Sequence, residues 1–189
     1  MPKLIKSLLL ITALSLSVSY AVAENKITGS ELIGGSYTLV NQRNEIVTNE
    51  SFHGTYQLVF LGFTNCAHFC PLGLHAMVKT LEALKDDAEK IQPIFITIDP
   101  SRDTAERLST FLPGYHKRFI GLTGTQQQVD QAVKAFRGYS RKMNTKNGYT
   151  FDHSTVIYFL GPNGEFINYF SSSINPEEIA EQIRKSFKN

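Results

Sequence analysis

The sequence predicts an α/β fold: a mixed central sheet flanked by helices, preceded by an N-terminal β-hairpin. Three observations carry that prediction. Two runs, YQLVFLGF (56–63) and IQPIFITI (91–98), are largely apolar, β-branched and aromatic, as in strands buried on both faces. Between them Leu74, Met77, Leu81, Leu84 and Ala88 recur at three and four residues, the face of a helix. Later, STVIYFLGPNGEFINYFSS (154–172) reads as an antiparallel hairpin turning at Gly161-Pro162-Asn163-Gly164.

In chain order, the first residues come as a leader. Lys3 and Lys6 are followed by a mostly apolar stretch from Leu8 to Tyr20 and by the small-x-small pattern Ala21-Val22-Ala23. That is the layout of a secretory signal peptide over residues 1–23, with an uncleaved membrane anchor as the competing reading. The stretch is short for a span and carries Ser15, Ser17 and Ser19. No cysteine near residue 24 offers a lipid attachment. The chain has 19 Lys+Arg against 17 Asp+Glu, and removing the two leader lysines leaves 17 against 17. A mature chain without net charge gives no support for nucleic-acid binding. Its 166 residues (189 less 23) suffice for one domain with a real core.

Residues 24–33 read as a flexible lead-in and 34–189 as a single domain. YTLVNQRNEIVT (37–48) supplies two short strands around a turn in which Asn44 takes the left-handed conformation. The strand–helix–strand unit of residues 56–98 implies a right-handed parallel crossover. Pro71 suits the first helical turn, and Pro93 suits only an early strand position. A second helix lies in DPSRDTAERLSTFL (99–112), with Asp or Ser near its start, and a short strand in RFIGLTG (118–124). Thr125 can cap a third helix whose apolar face is Val129, Ala132, Val133 and Phe136. A last helix carries Ile179, Ile183 and Phe187. This order of elements is thioredoxin-like.

FRGYSRKMNTKNGYTF (136–151) gathers Arg137, Arg141, Lys142 and Lys146 and reads as a solvated loop. Its sharper reading is a docking rim for an acidic partner. Met143 in the same stretch is a single residue, too little to make a methionine motif.

Cys66 and Cys70 are the only cysteines. They lie where a central strand ends and a helix begins, the place at which open α/β sheets put ligands and chemistry. A structural disulfide would close a very small ring, where the entropic benefit is least. Unpaired N–H groups and the helix dipole favour a thiolate there, at Cys70 in particular. Thiolate serves both disulfide exchange and metal binding, so local electrostatics leaves both open. His153, in FDHSTVIYFL, precedes an apolar strand expected near the sheet centre. In a thioredoxin-like topology that loop passes beside the cysteines. Two thiolates and an imidazole form a soft set that suits Cu(I) and can hold Cu(II) with a further ligand, and zinc would accept the same set with a fourth position open.

GFTNCAHFCP, ITIDPSRDT and DHSTVIYFLGPNGEF, in this order and at these separations, resemble the Sco/SenC family of thioredoxin-like copper proteins. The resemblance runs from about residue 34 to the last helix. It implies Cys66, Cys70 and His153 as ligands of Cu(I)/Cu(II), with Asp99 in support or as an occasional Cu(II) ligand. It further implies a periplasmic copper chaperone that helps metallate the CuA site of cytochrome c oxidase, on subunit II. The copper donor is not identified. A thiol–disulfide oxidoreductase, with Cys66 and Cys70 as its redox dithiol, is the alternative, so enzymatic activity stays open, with a metallochaperone favoured. The family often has Pro-Asp after the first cysteine, where this chain has Ala67-His68. His68 reads first as a solvent-facing imidazole and second as an extra ligand. His75 reads as surface or partial core. Thr64 ahead of Cys66 hints at a peroxiredoxin-like peroxidase, but the spacing is off and no arginine is placed by motif.

Overall fold

In the computed structural model, residues 33–67 and 69–188 are described. The leader, the lead-in up to residue 32 and His68 lie outside them. Among the described residues no helix is long and apolar enough to cross a membrane.

The N-terminal hairpin forms from β1 (Thr38–Asn41) and β2 (Ile46–Thr48). Asn44 adopts φ 61° in its turn, and Asn41 Oδ1 accepts the backbone N–H groups of Arg43 and Glu45, closing the loop. Next come β3 (Tyr56–Gly62), helix α1 (Phe69–Leu84) and β4 (Ile91–Thr97), the expected crossover unit. The apolar period of α1 continues to Ala88, but the α-helix stops at Leu84. Lys85 takes φ 55°, and a 3-10 helix over Lys85–Lys90 carries Ala88 into the core. Pro93 precedes the pairing of β4 with β5 (Ile120–Thr123), which begins at Ile94 opposite Ile120.

Helix α2 (Ala105–Phe111) is capped by Thr104, whose hydroxyl accepts from Arg107 N–H. Asp103 is drawn away into the core. Thr125 caps α3 (Gln126–Ala135) in a capping box with Gln128. The chain ends with β8 (Val156–Leu160), β9 (Phe166–Ser171) and α4 (Pro176–Ser186).

The stretch expected as a solvated loop is a second hairpin, β6 (Ser140–Thr145) with β7 (Gly148–His153). The loop between them is Lys146-Asn147, and Gly148, opening β7 opposite Thr145, takes φ 128°; an Asn-Gly pair at such a junction is a short-range hairpin signal. The cluster of basic residues masked it in the sequence.

The main sheet runs β2-β1-β5-β4-β3-β8-β9, while β6 and β7 form a sheet of their own. Strands β3, β4 and β5 are mutually parallel, and β1 and β8 flank them antiparallel. Alternation along β3 sends Phe60 and Gly62 to the face covered by α1, α2 and α4. There Gly73 of α1 sits over Phe60, and Phe111 of α2 meets Phe95 at 6.3 Å between ring centroids. The guanidinium of Arg184 on α4 donates to the Ala83 carbonyl at 2.6 Å. Helix α3 covers the opposite face, where Phe136 packs on Tyr37 and Tyr158. Both central strands are thus buried on both sides, and their carboxyl ends open at one edge.

Candidate metal centre

At that edge β3 gives way to the loop 63–67 and the first turn of α1. Asp103, fully buried, fixes this loop. Its carboxylate accepts the Thr64 N–H at 2.8 Å, the Thr64 hydroxyl at 2.6 Å and the Thr97 hydroxyl at 2.7 Å. The Thr123 hydroxyl donates to the Asp103 carbonyl at 2.7 Å. One acid thereby ties together the ends of β3, β4 and β5. Sequence reasoning did not single out Asp103, because its job depends on strand ends that only the fold brings together.

Cys66 is half-buried, Cys70 is buried, and no disulfide joins them. The N–H of Cys70, in the first turn of α1, donates to Cys66 Sγ at 3.3 Å. The helix terminus is therefore aimed at Cys66, not at Cys70 as the sequence suggested. The Cys70 thiol is pushed well above its ordinary value, first by its hydrogen bond with Cys66, then by burial and by the negative charge of Cys66 and Asp103. The Phe63 backbone opposes this and is outweighed. The expected ease of forming a thiolate at Cys70 does not hold: two sulfurs this close do not both ionise unless a cation joins them.

His153 ends β7, three residues before β8. Its Nε2 lies 3.5 Å from Cys70 Sγ, and its Nδ1 lies 2.8 Å from the Ser154 carbonyl oxygen. A carbonyl only accepts, so in the neutral ring Nδ1 carries the hydrogen and Nε2 turns its lone pair toward the sulfur. The ring packs edge-on against Phe63 and Phe60, at 5.7 Å and 6.5 Å between centroids. The two sulfurs and the imidazole nitrogen all lie within 4.8 Å of one another. Two soft sulfurs and a borderline nitrogen at that separation fit a thiophilic ion. A cleft of about 480 Å³, lined by Cys66, Phe69, Met143, Phe151 and His153 among others, opens onto Cys66 and His153, with Cys70 buried behind them.

Asp99 is not part of that ligand cluster among the described residues. Its buried carboxylate pairs with Arg102 and accepts the Tyr149 hydroxyl at 3.0 Å. His75 is exposed and bonds the Pro71 carbonyl through Nδ1. Arg107 Nε reaches the Thr64 hydroxyl at 3.3 Å. Arg102 and Tyr149 also escaped sequence reasoning. The Asn147-Gly148 pair was the signal that could have placed Tyr149 on a strand.

Residues 25–188 match the SCO1/SenC family model. The SCO2-like protein of Rickettsia felis is 36% identical over 155 residues, covering 80% of this chain and 76% of its own length. The human mitochondrial SCO1 homolog is 33% identical over 159 residues, 82% of this chain and 53% of that one. Among solved structures, copper-bound ScoI of Bradyrhizobium japonicum superposes with a TM-score of 0.75 at 34% identity, over 81% of this chain and 98% of its own. Copper-bound yeast Sco1 does so with a TM-score of 0.77 at 31% identity, over 83% and 89%. With a family match over nearly its whole length and a thioredoxin-like Sco fold beneath it, the chain belongs to the SCO1/SenC family.

Proposed function

We propose that the chain is a periplasmic copper chaperone in which Cys66, Cys70 and His153 hold copper as cargo for the CuA site of cytochrome c oxidase subunit II. The observation that carries this is the convergence of two sulfurs and an imidazole lone pair within 4.8 Å, at a cleft open to a partner. The relatives crystallised with copper bound support the choice of metal. Residues 1–23 would export the chain as a signal peptide or hold it at the membrane as an anchor.

The roles divide by chemistry. Cys66 and Cys70 suffice for Cu(I), which favours soft ligands and low coordination. His153 adds the nitrogen that makes the set hospitable to Cu(II). The phenyl rings of Phe60 and Phe63 wall the imidazole on one side, while the cleft leaves the half-buried Cys66 approachable for ligand exchange with a partner's thiols. Only the reduced pair can load, since a disulfide has no thiolate to give.

A second reading, a thiol–disulfide oxidoreductase acting on partner cysteines, draws on the 3.3 Å contact between Cys70 N–H and Cys66 Sγ, which sets the sulfurs side by side at a helix start. Anaerobic copper titration of the reduced protein separates the two. Chaperone action expects one copper bound, with a thiolate-to-Cu(II) absorption that Cys66→Ser and His153→Ala each abolish. Unchanged binding in both variants would leave only the redox reading.

A further inference from the structure

The hairpin that carries His153 stands outside the main sheet: among the described residues β6 and β7 pair only with each other. No backbone ladder among the described residues joins it to the body, so other contacts set its tilt. Its base is pinned, with Ser154 N–H donating to the Tyr139 carbonyl and Tyr139 N–H donating to the Ser154 hydroxyl, both at 2.9 Å. The tilt about that base is decided by one face of β7. Tyr149, Phe151 and His153 alternate along the strand and therefore point the same way. Phe151 and His153 rest on Phe63, at 5.4 Å and 5.7 Å between ring centroids.

Tyr149 is the outermost of the three and the most tightly held. Its hydroxyl donates to Asp99 Oδ1 at 3.0 Å, and its carbonyl accepts from an Arg102 guanidinium nitrogen at 3.2 Å. Two cations lie against its ring: the Arg102 guanidinium carbon at 3.9 Å and Lys142 Nζ at 3.5 Å from the centroid. Asp99 is itself rigid, since it is buried, paired with Arg102, and set by its own N–H on the Thr97 hydroxyl at 2.9 Å. Tyr149 thus fastens the far end of β7 to the end of β4, and His153 lies four residues along the same strand face.

We propose that Tyr149 is a positioning residue for His153: clasped by Asp99 and Arg102, it sets the tilt of the hairpin and so decides whether the imidazole reaches the Cys70 sulfur. Asp99 then serves the centre through Tyr149 and not as a ligand. With the clasp open, the site keeps two sulfurs and loses its nitrogen. It would hold Cu(I) and release Cu(II). This rests on the reading of His153 as a copper ligand.

The test compares full-length Tyr149→Ala and Tyr149→Phe with His153→Ala, in single and double variants. Tyr149→Ala is expected to weaken Cu(II) binding about 10–100-fold, the range for outer-shell partners of metal ligands, and to remove nitrogen hyperfine coupling from the Cu(II) spectrum. Cu(I) binding should stay. Tyr149→Phe, which keeps the ring, should fall between Tyr149→Ala and the unaltered protein. In the His153→Ala background Tyr149→Ala should cost nothing further, because both act through one nitrogen. Additive losses, or an unaltered Cu(II) spectrum in Tyr149→Ala, would overturn the proposal. A metal-free arm keeps the two ideas separable. In the reduced protein without copper, Tyr149→Ala should move the ¹⁵N resonances of the His153 ring and speed amide exchange across 140–153 only. If the unaltered protein bound no copper, the reading of the site would fail while this arm still decided the clasp. Unmoved His153 resonances there would reject the clasp outright.

Discussion

His153 Nε2 stands 3.5 Å from Cys70 Sγ, and the other nitrogen of the same ring is occupied by the Ser154 carbonyl at 2.8 Å. One ring nitrogen is thereby committed to holding the imidazole, and the other is left with its lone pair facing a sulfur 83 positions away in sequence. A packing histidine has no need of that division of labour. A ligand does, because the outer hydrogen bond fixes both tautomer and ring orientation.

The first prediction concerns this residue directly. His153→Ala should leave Cu(I) held by two sulfurs while weakening Cu(II) on the order of 100-fold or more, at least the upper end for outer-shell losses. Parallel titrations with the two oxidation states check it. Equal loss of both would mean that the imidazole is needed to shape the sulfur pair itself.

The Cys70 thiol yields a prediction of definite sign. Its proton is held more tightly in the folded chain than in the unfolded one, by the Cys66 side chain and by burial. Below about pH 8.5, the ordinary thiol value, both states keep that proton and stability is unaffected. Above it the unfolded chain releases a proton that the folded chain retains, so the metal-free reduced protein loses up to about 1.4 kcal/mol per pH unit. Melting temperature should therefore hold between pH 7.5 and about 8.5 and fall by pH 9.5, and Cys70→Ala should flatten that fall. Tyr37, Tyr115, Tyr149 and Tyr158 are also pushed upward by burial, so they add to the loss only near pH 10 and above. A thiolate-stabilising site would instead give stability that rises up to about pH 8.5 and is level above it.

Much of this centre was legible in the sequence because each part announces itself locally. The apolar runs mark β3 and β4, the three-and-four spacing marks α1, and CxxxC at a strand-to-helix junction marks a place for chemistry. His153 was found through topology and family resemblance together. What stayed hidden was held by long-range polar contacts. Asp103 reads as a helix-start residue, yet its neighbour Thr104 takes the cap and Asp103 is spent on Thr64 and Thr97. The basic residues of 137–146 suggested a solvated loop, and their charge outweighed the Asn147-Gly148 pair where the chain leaves its two-residue loop and enters β7. The helix start favours Cys66 and not Cys70, because the first-turn N–H of Cys70 points at Cys66 Sγ and Cys70 itself is buried, neither of which the spacing shows.

Asp103 supplies the third prediction. Replacing it with Ala leaves the half-buried Thr64 N–H and hydroxyl and the buried Thr97 hydroxyl without their acceptor. Unsatisfied buried groups cost about 1–3 kcal/mol each, so a total of about 3 kcal/mol or more is expected. For a domain of this size that lowers the melting temperature by roughly 6–12 °C. Calorimetry of the metal-free protein checks it, and a fall under about 2 °C would show the carboxylate to be dispensable.

The last prediction turns on Gly62, where β3 ends against the metal centre. A Cβ built there would stand 2.9 Å from Cys70 Sγ, 2.9 Å from Phe95 and 3.1 Å from Phe60. Something has to move. Both rings are locked in the core between strands and α1, whereas the sulfur ends a short, single-torsion side chain that borders the half-buried Cys66 and His153. The displacement therefore falls on Cys70, the atom His153 faces. Gly62→Ala should cost about 1–3 kcal/mol as overpacking and should also spoil the thiolate-to-Cu(II) absorption. Gly121→Ala separates the two effects. Its Cβ would press on Leu112 and Leu108 of the α2 region, away from the sulfurs, so it should destabilise comparably while leaving the copper spectrum intact. Matching spectra in the two variants would mean that the core yields before the sulfur does.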